Sequence, residues 1–400
     1  MECDARKNRY PHTKVTVVFI KPPVISFFQI MDTSSIDQQI KNIEDEIFNT
    51  QKNKATEHHI GKLKAKLARL REDVEKRKSA SVKGKGFAVK KSGDATVGLI
   101  GFPSIGKSTL LNQLTDAKSR VAAYEFTTLD AIPGMMKYNG ANIQILDLPG
   151  LITGASLGKG RGREILSAVR NVDLILFMID AQHKNHLDLM TEELYKAGLR
   201  LNQKKPDVVV KRKGQGGITI NSTIKLSTLN EGVVKSISSE YVTNADIIIR
   251  DDITEDQLID VFIQNRIYVP AVVIINKKDL ITKKELNKKI KNITQKNWDV
   301  ISISASEGTG LDELKKIIFS ELNFTRTYMK PVGEKPDFDE PLILKKGQTV
   351  EDACRKLHRD FKRKFRFAQV WGKSAKYPGQ NVGLDHILED EDILTITVSR

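Results

Sequence analysis

Apolar residues early in the chain recur at helical spacing in two consecutive segments. The first stripe consists of Ile36, Ile40, Ile43 and Ile47. The second stripe consists of Ile60, Leu63, Leu67, Leu70 and Val74. Steps of three and four positions place side chains on one face of an α-helix. Because the polar segment 50–56 separates the stripes, residues 35–78 are predicted to form a helical hairpin.

Beyond residue 93 the pattern changes to short apolar runs separated by helical stretches. The first of these predicted helices begins at Lys107. The runs lie at 96–100, 142–146, 172–179, 271–275 and 300–304. Nearly continuous apolar strands that alternate with helices are typical of a parallel sheet covered on both faces. The predicted fold class is therefore α/β.

Two further groups of elements lie outside this series. Within the segment between the third and fourth runs we predict strands at 208–213, 217–226 and 246–250 and a helix at 228–240. In the last part of the chain we predict a small β-grasp unit over 325–400. Its elements are strands at 342–346, 368–373 and 392–398 and a helix over 350–367, with Val350, Cys354, Leu357, Phe361 and Phe365 on one face.

Composition adds a strong basic excess to this picture. The chain has 400 residues and a formal net charge of +15, which favours a polyanionic partner such as RNA. Basic residues are dense on the second predicted helix of the hairpin and on the helix 350–367. For each helix two interpretations stay open, an RNA or ribosome contact and an ordinary solvated face.

The first thirty residues and the cysteines bear on location. The apolar runs 15–20 and 24–28 are divided by Lys21-Pro22-Pro23 and are too short to cross a membrane. We therefore expect no membrane partner, and we interpret residues 1–30 as a disordered extension, with Met31 a candidate start. The two cysteines, Cys3 and Cys354, form no metal-binding spacing, which favours a reducing, cytoplasmic compartment.

The segment GFPSIGKS (101–108) follows the first apolar run and fits the pattern G-x-x-x-x-G-K-[ST] of a phosphate-binding loop. Its glycines let backbone amides and a helix N-terminus approach a phosphate closely. We expect Lys107 to reach the β- and γ-phosphates and Ser108 to ligate Mg²⁺. The predicted loop residues are Gly101, Phe102, Pro103, Ser104, Ile105, Gly106, Lys107, Ser108 and Thr109.

The segment DLPG (147–150) ends the second apolar run. Asp147 is expected to hold Mg²⁺, usually through a water, and the Gly150 amide to sense a γ-phosphate. YEFTTL (124–129) occupies the place of a switch segment. We predict that Thr127 or Thr128 contacts Mg²⁺ and the γ-phosphate, and we favour Thr128. The predicted metal-binding residues are Ser108, Thr128 and Asp147, and the predicted catalytic residues are Lys107, Thr128 and Gly150.

Two segments that end the last apolar runs indicate guanine as the base. In NKKD (276–279), Asp279 can accept hydrogen bonds from guanine N1–H and the 2-amino group, which adenine does not offer in that arrangement. Asn276 and Lys277 are expected to brace this loop and cover the base. The segment SAS, which consists of Ser304, Ala305 and Ser306, stands at the end of the last run. We expect the Ala305 backbone amide to donate a hydrogen bond to guanine O6. The predicted cofactors are GTP or GDP and Mg²⁺.

Several longer segments together resemble one family. They are GFPSIGKSTLL, AAYEFTTL, YNGANIQILDLPG, GKGRGRE, NRIYVP and VWGKSAKYPGQNVGLDH. They resemble the developmentally regulated GTP-binding proteins (Drg) of the Obg class of translation-associated GTPases, over nearly all of residues 31–400. KSGDA (91–95) and ILKKGQTVE favour the second of the Drg paralogues.

The resemblance implies a P-loop GTPase sheet with an N-terminal helical hairpin, an inserted α+β unit like the second domain of ribosomal protein S5, and a C-terminal β-grasp TGS domain. The expected parts are the extension 1–30, the hairpin 31–80, a linker 81–93, the GTPase core 94–181 and 251–324, the insertion 182–250, and the TGS domain 325–400. It also implies ribosomes or RNA as partners, rather than DNA, and a heterodimer of one copy with a Drg family regulatory protein.

Leu151 stands where Ras-like GTPases have the glutamine that orients the attacking water, so hydrolysis is expected to be slow. A partner, a ribosomal surface or K⁺ near Ser104 is then a candidate to complete the site. The main hypothesis is a Mg²⁺-dependent GTP-hydrolysing switch associated with ribosomes and translation. The alternatives are a GTP-bound, non-catalytic RNA- or ribosome-binding scaffold, and an ATPase, which the guanine-reading Asp279 argues against.

Overall fold

The computed structural model describes residues 27–53, 55–80, 92–115, 133–148, 169–183 and 186–399. The helices are α1 (Phe27–Asn49), α2 (Glu57–Ala80), α3 (Lys107–Leu114), α4 (Leu187–Lys196), α5 (Glu231–Ser238), α6 (Glu255–Ile263), α7 (Lys283–Thr294), α8 (Leu311–Glu321), α9 (Val350–Leu357) and α10 (Arg359–Arg363). The strands are β1 (Ala95–Gly101), β2 (Pro133–Tyr138), β3 (Ala141–Asp147), β4 (Leu174–Asp180), β5 (Leu199–Leu201), β6 (Val208–Arg212), β7 (Ile218–Ser222), β8 (Ala245–Ile249), β9 (Ile267–Val269), β10 (Ala271–Asn276), β11 (Val300–Ser302), β12 (Phe324–Met329), β13 (Leu342–Lys345), β14 (Phe365–Trp371), β15 (Gln380–Val382) and β16 (Asp392–Val398).

The chain divides into two compact units. The hairpin unit contains α1, α2 and residues 206–263, and the main unit contains residues 84–205 and 264–400. These units do not follow the predicted boundaries of the insertion at 182 and 250. Helix α4 and strand β5 belong to the main unit, since their apolar side chains join its core and β5 pairs with β9. The division of the chain into domains stays a prediction.

The hairpin unit begins with the two predicted helices. Helix α1 starts at Phe27, so residues 27–30 are helical, contrary to the predicted extension over 1–30; residues 1–26 of that extension lie outside the described residues. In the turn between the helices, the Asn53 side chain accepts hydrogen bonds from the backbone amides of Ala55 and Thr56, each at 3.0 Å. This Asx-type turn supplies a side-chain acceptor to backbone amides that precede α2.

Helix α2 is buried on two sides, although the sequence pattern predicts one. Besides the leucine stripe, the small residues Gly61 and Ala65 are buried, and Ala65 joins the core formed by α5, α6 and strands β6, β7 and β8. A Cβ atom at Gly61 would lie 3.3 Å from the Ile237 side chain, so the small residues let α5 approach closely. Tyr241 adds a hydrogen bond from its hydroxyl to the Ala65 carbonyl at 2.9 Å.

Some of the basic residues of α2 contact residues 206–263 of the hairpin unit. The Lys64 ammonium lies 2.9 Å from Glu255 and 3.6 Å from Asp256, and Arg69 donates to the Glu240 carbonyl at 2.7 Å. Burial acts to lower the pKa of Lys64, but the contacts with Glu255 and Asp256 outweigh it and raise the pKa. These cations therefore help attach α2 to its own chain, a use that the sequence analysis did not consider.

We expect Ala65→Leu to destabilise the hairpin unit by about 1–3 kcal/mol, because extra methylene groups do not fit between α2 and α5. Lys66→Leu is the matched control, since it places the same side chain at the adjacent, exposed position. Urea unfolding followed by circular dichroism measures both. Equal stability of the two variants would contradict the packing of α2 on α5.

The main unit contains the predicted parallel sheet with one antiparallel addition. The strand order is β11-β10-β4-β1-β3-β2, and the first five strands are parallel. Strand β2 pairs antiparallel with β3 and was not predicted from the sequence. Strands β1 and β4 are buried along their whole length, as their continuous apolar runs indicate. Parallel strands with these crossovers bring their carboxyl ends to one edge of the sheet.

The C-terminal part of the main unit is a five-stranded mixed sheet, β13-β12-β16-β14-β15, with α9 packed against it. The helix predicted over 350–367 is wrong beyond Leu357. His358 has an extended backbone, a short helix α10 follows, and residues 365–367 belong to β14. Phe365 pairs with Val398 and Phe367 with Thr397 of β16, so sheet pairing overrides the helical spacing of the apolar residues.

This C-terminal sheet is attached to the parallel sheet by two lysines. Lys345 contacts Asp173 at 2.8 Å and Lys356 contacts Asp94 at 2.6 Å. The second oxygen of each carboxylate accepts a backbone amide of the parallel sheet, from Thr96 and Asn142 respectively. Both carboxylates lie at the amino ends of strands.

None of the helices in the described part of the chain has the length and apolarity needed to cross a membrane.

Candidate guanine-nucleotide site

The turn from β1 into α3 has the shape of a phosphate-binding loop. Gly106 has φ 96°, a conformation that side chains other than glycine rarely adopt. A Cβ atom there would lie 2.6 Å from the Asn276 amide nitrogen, and one at Gly101 would lie 2.6 Å from the Met178 carbonyl oxygen. Close approach of residues from β4 and β10 therefore requires both glycines, and at Gly106 the turn conformation requires glycine as well.

Lys107 lies over this loop. Its ammonium donates to the carbonyls of Gly101 at 3.1 Å and Phe102 at 3.0 Å. Burial lowers the pKa of Lys107, while the nearby Asp147 acts to raise it. The ammonium is thus held by loop carbonyls at the helix N-terminus, where a phosphate would accept its hydrogen bonds.

Asp147 ends β3 beside Lys107 and is almost completely buried. The Ser108 hydroxyl donates to its Oδ2 at 3.3 Å, whereas its Oδ1 has no hydrogen-bond partner in the described residues. Burial raises the pKa of Asp147, and Lys107 and Ser108 oppose that shift. A buried carboxylate oxygen without a donor, next to a serine hydroxyl, is the oxygen-donor set that Mg²⁺ prefers. The residues present therefore fit the predicted cation.

The loop after β10 is connected to both neighbouring loops. Asn276 donates to the Ile105 carbonyl at 2.7 Å and accepts from the Ala305 amide at 2.9 Å. Lys277 has φ 63°, and its ammonium lies 3.3 Å from the Ser104 carbonyl. Asp279 follows on the exposed side, where its carboxylate is accessible to a base. The phosphate loop and the segments 276–279 and 304–306 thus meet at one edge of the sheet.

Family models match most of the chain after residue 95. A model described as a 50S ribosome-binding GTPase matches residues 96–213, a C-terminal region of that domain matches 215–324, and a TGS domain matches 325–398. Among curated proteins, a GTP-binding protein of Methanocaldococcus jannaschii is 54% identical and covers 92% of this chain and 94% of its own length.

Developmentally-regulated GTP-binding protein 2 of Homo sapiens is 46% identical over 362 residues, which are 90% of this chain and 98% of the human protein. This chain belongs to the Drg family. It is accordingly a GTPase with a P-loop GTPase domain and a C-terminal TGS domain. Among solved structures, the YchF GTPase of Schizosaccharomyces pombe matches with a TM-score of 0.43 and 17% identity over 77% of this chain and 99% of that one, from which no functional conclusion follows.

The predicted site residues have different surroundings in this Drg protein. Pro103, Ser104 and Thr109 are exposed, whereas the Ile105 side chain packs in the core and offers only its carbonyl. Ser304 is buried and Ser306 exposed, with their hydroxyls 3.1 Å apart. The roles given to these residues stay predictions. Thr128, Gly150 and Leu151 lie outside the described residues.

Sequence reasoning missed Asp180, which ends β4 at the same edge. Its carboxylate Oδ2 lies 2.7 Å from the Lys277 ammonium. A separate contact at this edge joins the Phe102 ring of the phosphate loop to the His186 ring, with ring centroids 4.6 Å apart. An acidic residue that closes a fully buried strand was the available signal. Its partner Lys277 is 97 positions away, so spacing alone could not pair the two.

Proposed function

We propose that this Drg protein is a Mg²⁺-dependent, slowly hydrolysing GTP switch that associates with ribosomes. The observation that supports the proposal best is the cluster of Asp147, Ser108 and Lys107. It unites a buried carboxylate oxygen that has no donor among the described residues, a hydroxyl and an ammonium, at the edge where the phosphate loop lies. A bound Mg²⁺ would neutralise phosphate charge there, and Ser108, Asp147 and Thr128 are the proposed ligands.

The proposed roles of the remaining residues follow from their chemistry. Lys107 would place positive charge on the transferred phosphoryl group, and the Gly150 amide would sense its presence. Leu151 cannot hydrogen-bond a water, so the intrinsic rate is expected to be low until a partner completes the site. The predicted dependence on K⁺ has no support in the described residues and stays a prediction.

Ribosome or RNA association is proposed from charge and from the description of the matching family model. On the TGS helices most basic residues are already paired within the chain: Arg355 and Lys362 with Glu351, Lys356 with Asp94, and Arg363 with Asp360. Lys364 and Arg366 are exposed, and no carboxylate among the described residues pairs with either. We propose these two for contact with RNA phosphates.

A cytoplasmic location and a heterodimer of one copy with a Drg family regulatory protein belong to the same proposal. They are supported by the family membership and by the low cysteine content. The second candidate function is a GTP-bound scaffold without turnover, which Leu151 favours.

Multiple-turnover GTP hydrolysis, measured with and without ribosomes and with K⁺ or Na⁺, tests this function. We expect slow Mg²⁺-dependent turnover that ribosomes stimulate. Neutralising Lys364 and Arg366 to Gln should weaken stimulation, whereas neutralising Arg355 and Lys362 should have the smaller effect because those cations already have partners. No turnover under any condition would contradict the switch and support the scaffold.

A further inference from the structure

Three donors converge on the carboxylate of Asp180. The Lys277 ammonium lies 2.7 Å from Oδ2, and the His183 ring nitrogen Nδ1 lies 3.2 Å from the same oxygen. The Gln182 amide donates to Oδ1 at 2.7 Å. The carboxylate is thus connected to the segment that follows β4 and to the guanine-reading loop that follows β10.

The Asp180 side chain is only 5% exposed, whereas Lys277 is 29% exposed and His183 is 75% exposed. Burial by itself raises the pKa of Asp180, but the hydrogen bonds from Lys277, Gln182 and His183 together lower it. Asp180 is therefore a charged group near neutral pH, and the cation that it contacts is more exposed than it is. A buried carboxylate of this kind fixes the position of the Lys277 ammonium, because any other position of the ammonium leaves the buried charge without its cationic partner.

Lys277 also connects two parts of the nucleotide site. Its backbone follows Asn276, in the loop that carries Asp279, and its ammonium reaches the Ser104 carbonyl at the tip of the phosphate loop. Strands β4 and β10 are paired so that Asp180 lies beside Asn276. The Asp180 carboxylate thus lies next to Lys277, the residue through which the loop after β10 contacts the phosphate loop.

We propose that Asp180 is a positioning residue that holds Lys277 against the phosphate loop and thereby slows the release of guanine nucleotide. A nucleotide that contacts both loops leaves only when the loops separate. The contact of Lys277 with Asp180 and Ser104 opposes that separation without touching the phosphates. Asp180 therefore acts on the dissociation rate and not on the chemical step, since it contacts neither the phosphate loop lysine nor Asp147.

The dissociation rate of a fluorescent GDP analogue from the full-length protein tests this role. We expect Asp180→Asn to release GDP about tenfold faster, because the amide still accepts from Gln182 but no longer attracts the Lys277 ammonium as a charge. The effect is measured on nucleotide release rather than on kcat, because multiple-turnover kcat also contains the GDP release step. Asp173→Asn is the matched control. Asp173 immediately precedes the same strand and also pairs with a lysine, Lys345, but it lies at the opposite edge of the sheet.

A double-mutant cycle separates positioning from a general loss of structure. Asp180→Asn combined with Lys277→Met should release GDP no faster than Lys277→Met alone, since the two changes remove one interaction. Additive effects, or a GDP release rate of Asp180→Asn within twofold of the unchanged protein, would overturn the proposal. Because the readout is nucleotide release without ribosomes, failure here would leave the proposed ribosome-linked switch untouched.

Discussion

Asp279→Asn is expected to convert this GTPase from guanine to xanthine nucleotides. In its predicted role the carboxylate would accept hydrogen bonds from guanine N1–H and the 2-amino group, whereas an asparagine amide would meet the 2-amino group with its own N–H₂. Two hydrogen bonds to a charged group contribute ~1.5–3 kcal/mol each, so GDP affinity should fall on the order of 10²- to 10⁴-fold. Xanthine carries an oxygen at that position and can accept from the asparagine amide.

Competition of GDP, XDP and ADP against a fluorescent nucleotide measures this change. Asp312→Asn is the control, because its carboxylate is 94% exposed at the start of α8 and removal of the same charge there should leave all three affinities unchanged. The guanine-reading role of Asp279 is wrong if the variant keeps its affinity for GDP, or loses GDP without gaining XDP.

Asp147→Asn is expected to lower GTP turnover by about 10- to 100-fold. This is the usual cost of removing a group that holds one of a metal's own ligands in place, as Asp147 is expected to do for a Mg²⁺-bound water. The same change should remove the Mg²⁺-dependent part of nucleotide affinity. Nucleotide titrations and turnover assays at several Mg²⁺ concentrations measure both effects. Unchanged Mg²⁺ dependence would contradict a metal role for Asp147.

Without nucleotide and Mg²⁺, Asp147→Asn should raise the melting temperature. Within the part of the chain that the structure describes, the native carboxylate has a buried oxygen without a donor. Its raised pKa means that the charged form costs stability at every pH above the ordinary carboxyl pKa. The gain should shrink as pH falls and the carboxyl becomes protonated. Asp173→Asn should lower the melting temperature instead, because Asp173 has partners for both oxygens. Equal signs for the two variants would contradict this account.

The sequence determined the elements whose chemistry is local. The phosphate loop follows from residues 101–108 alone, since glycine, lysine and serine have their functions at fixed spacing along one turn. The largely apolar runs 96–100, 142–146 and 271–275 indicated buried parallel strands, because strands covered on both faces carry few polar residues; Gln144, inside the second run, is buried as well. Asp147 and Asn276 were then found at the ends of such runs.

Tertiary structure decided the contacts whose partners are far apart in the chain. The single helix predicted over 350–367 is interrupted at His358, and residues 365–367 instead form a strand because they pair with β16. The second buried face of α2 was missed, since Gly61 and Ala65 show no apolar stripe until α5 covers them. Asn276 meets the Ile105 carbonyl 171 positions away, and Asp180 meets Lys277 across paired strands. The periodicity of apolar residues indicates which face of a helix or strand is buried. Which other element covers that face is decided only when the elements pack together.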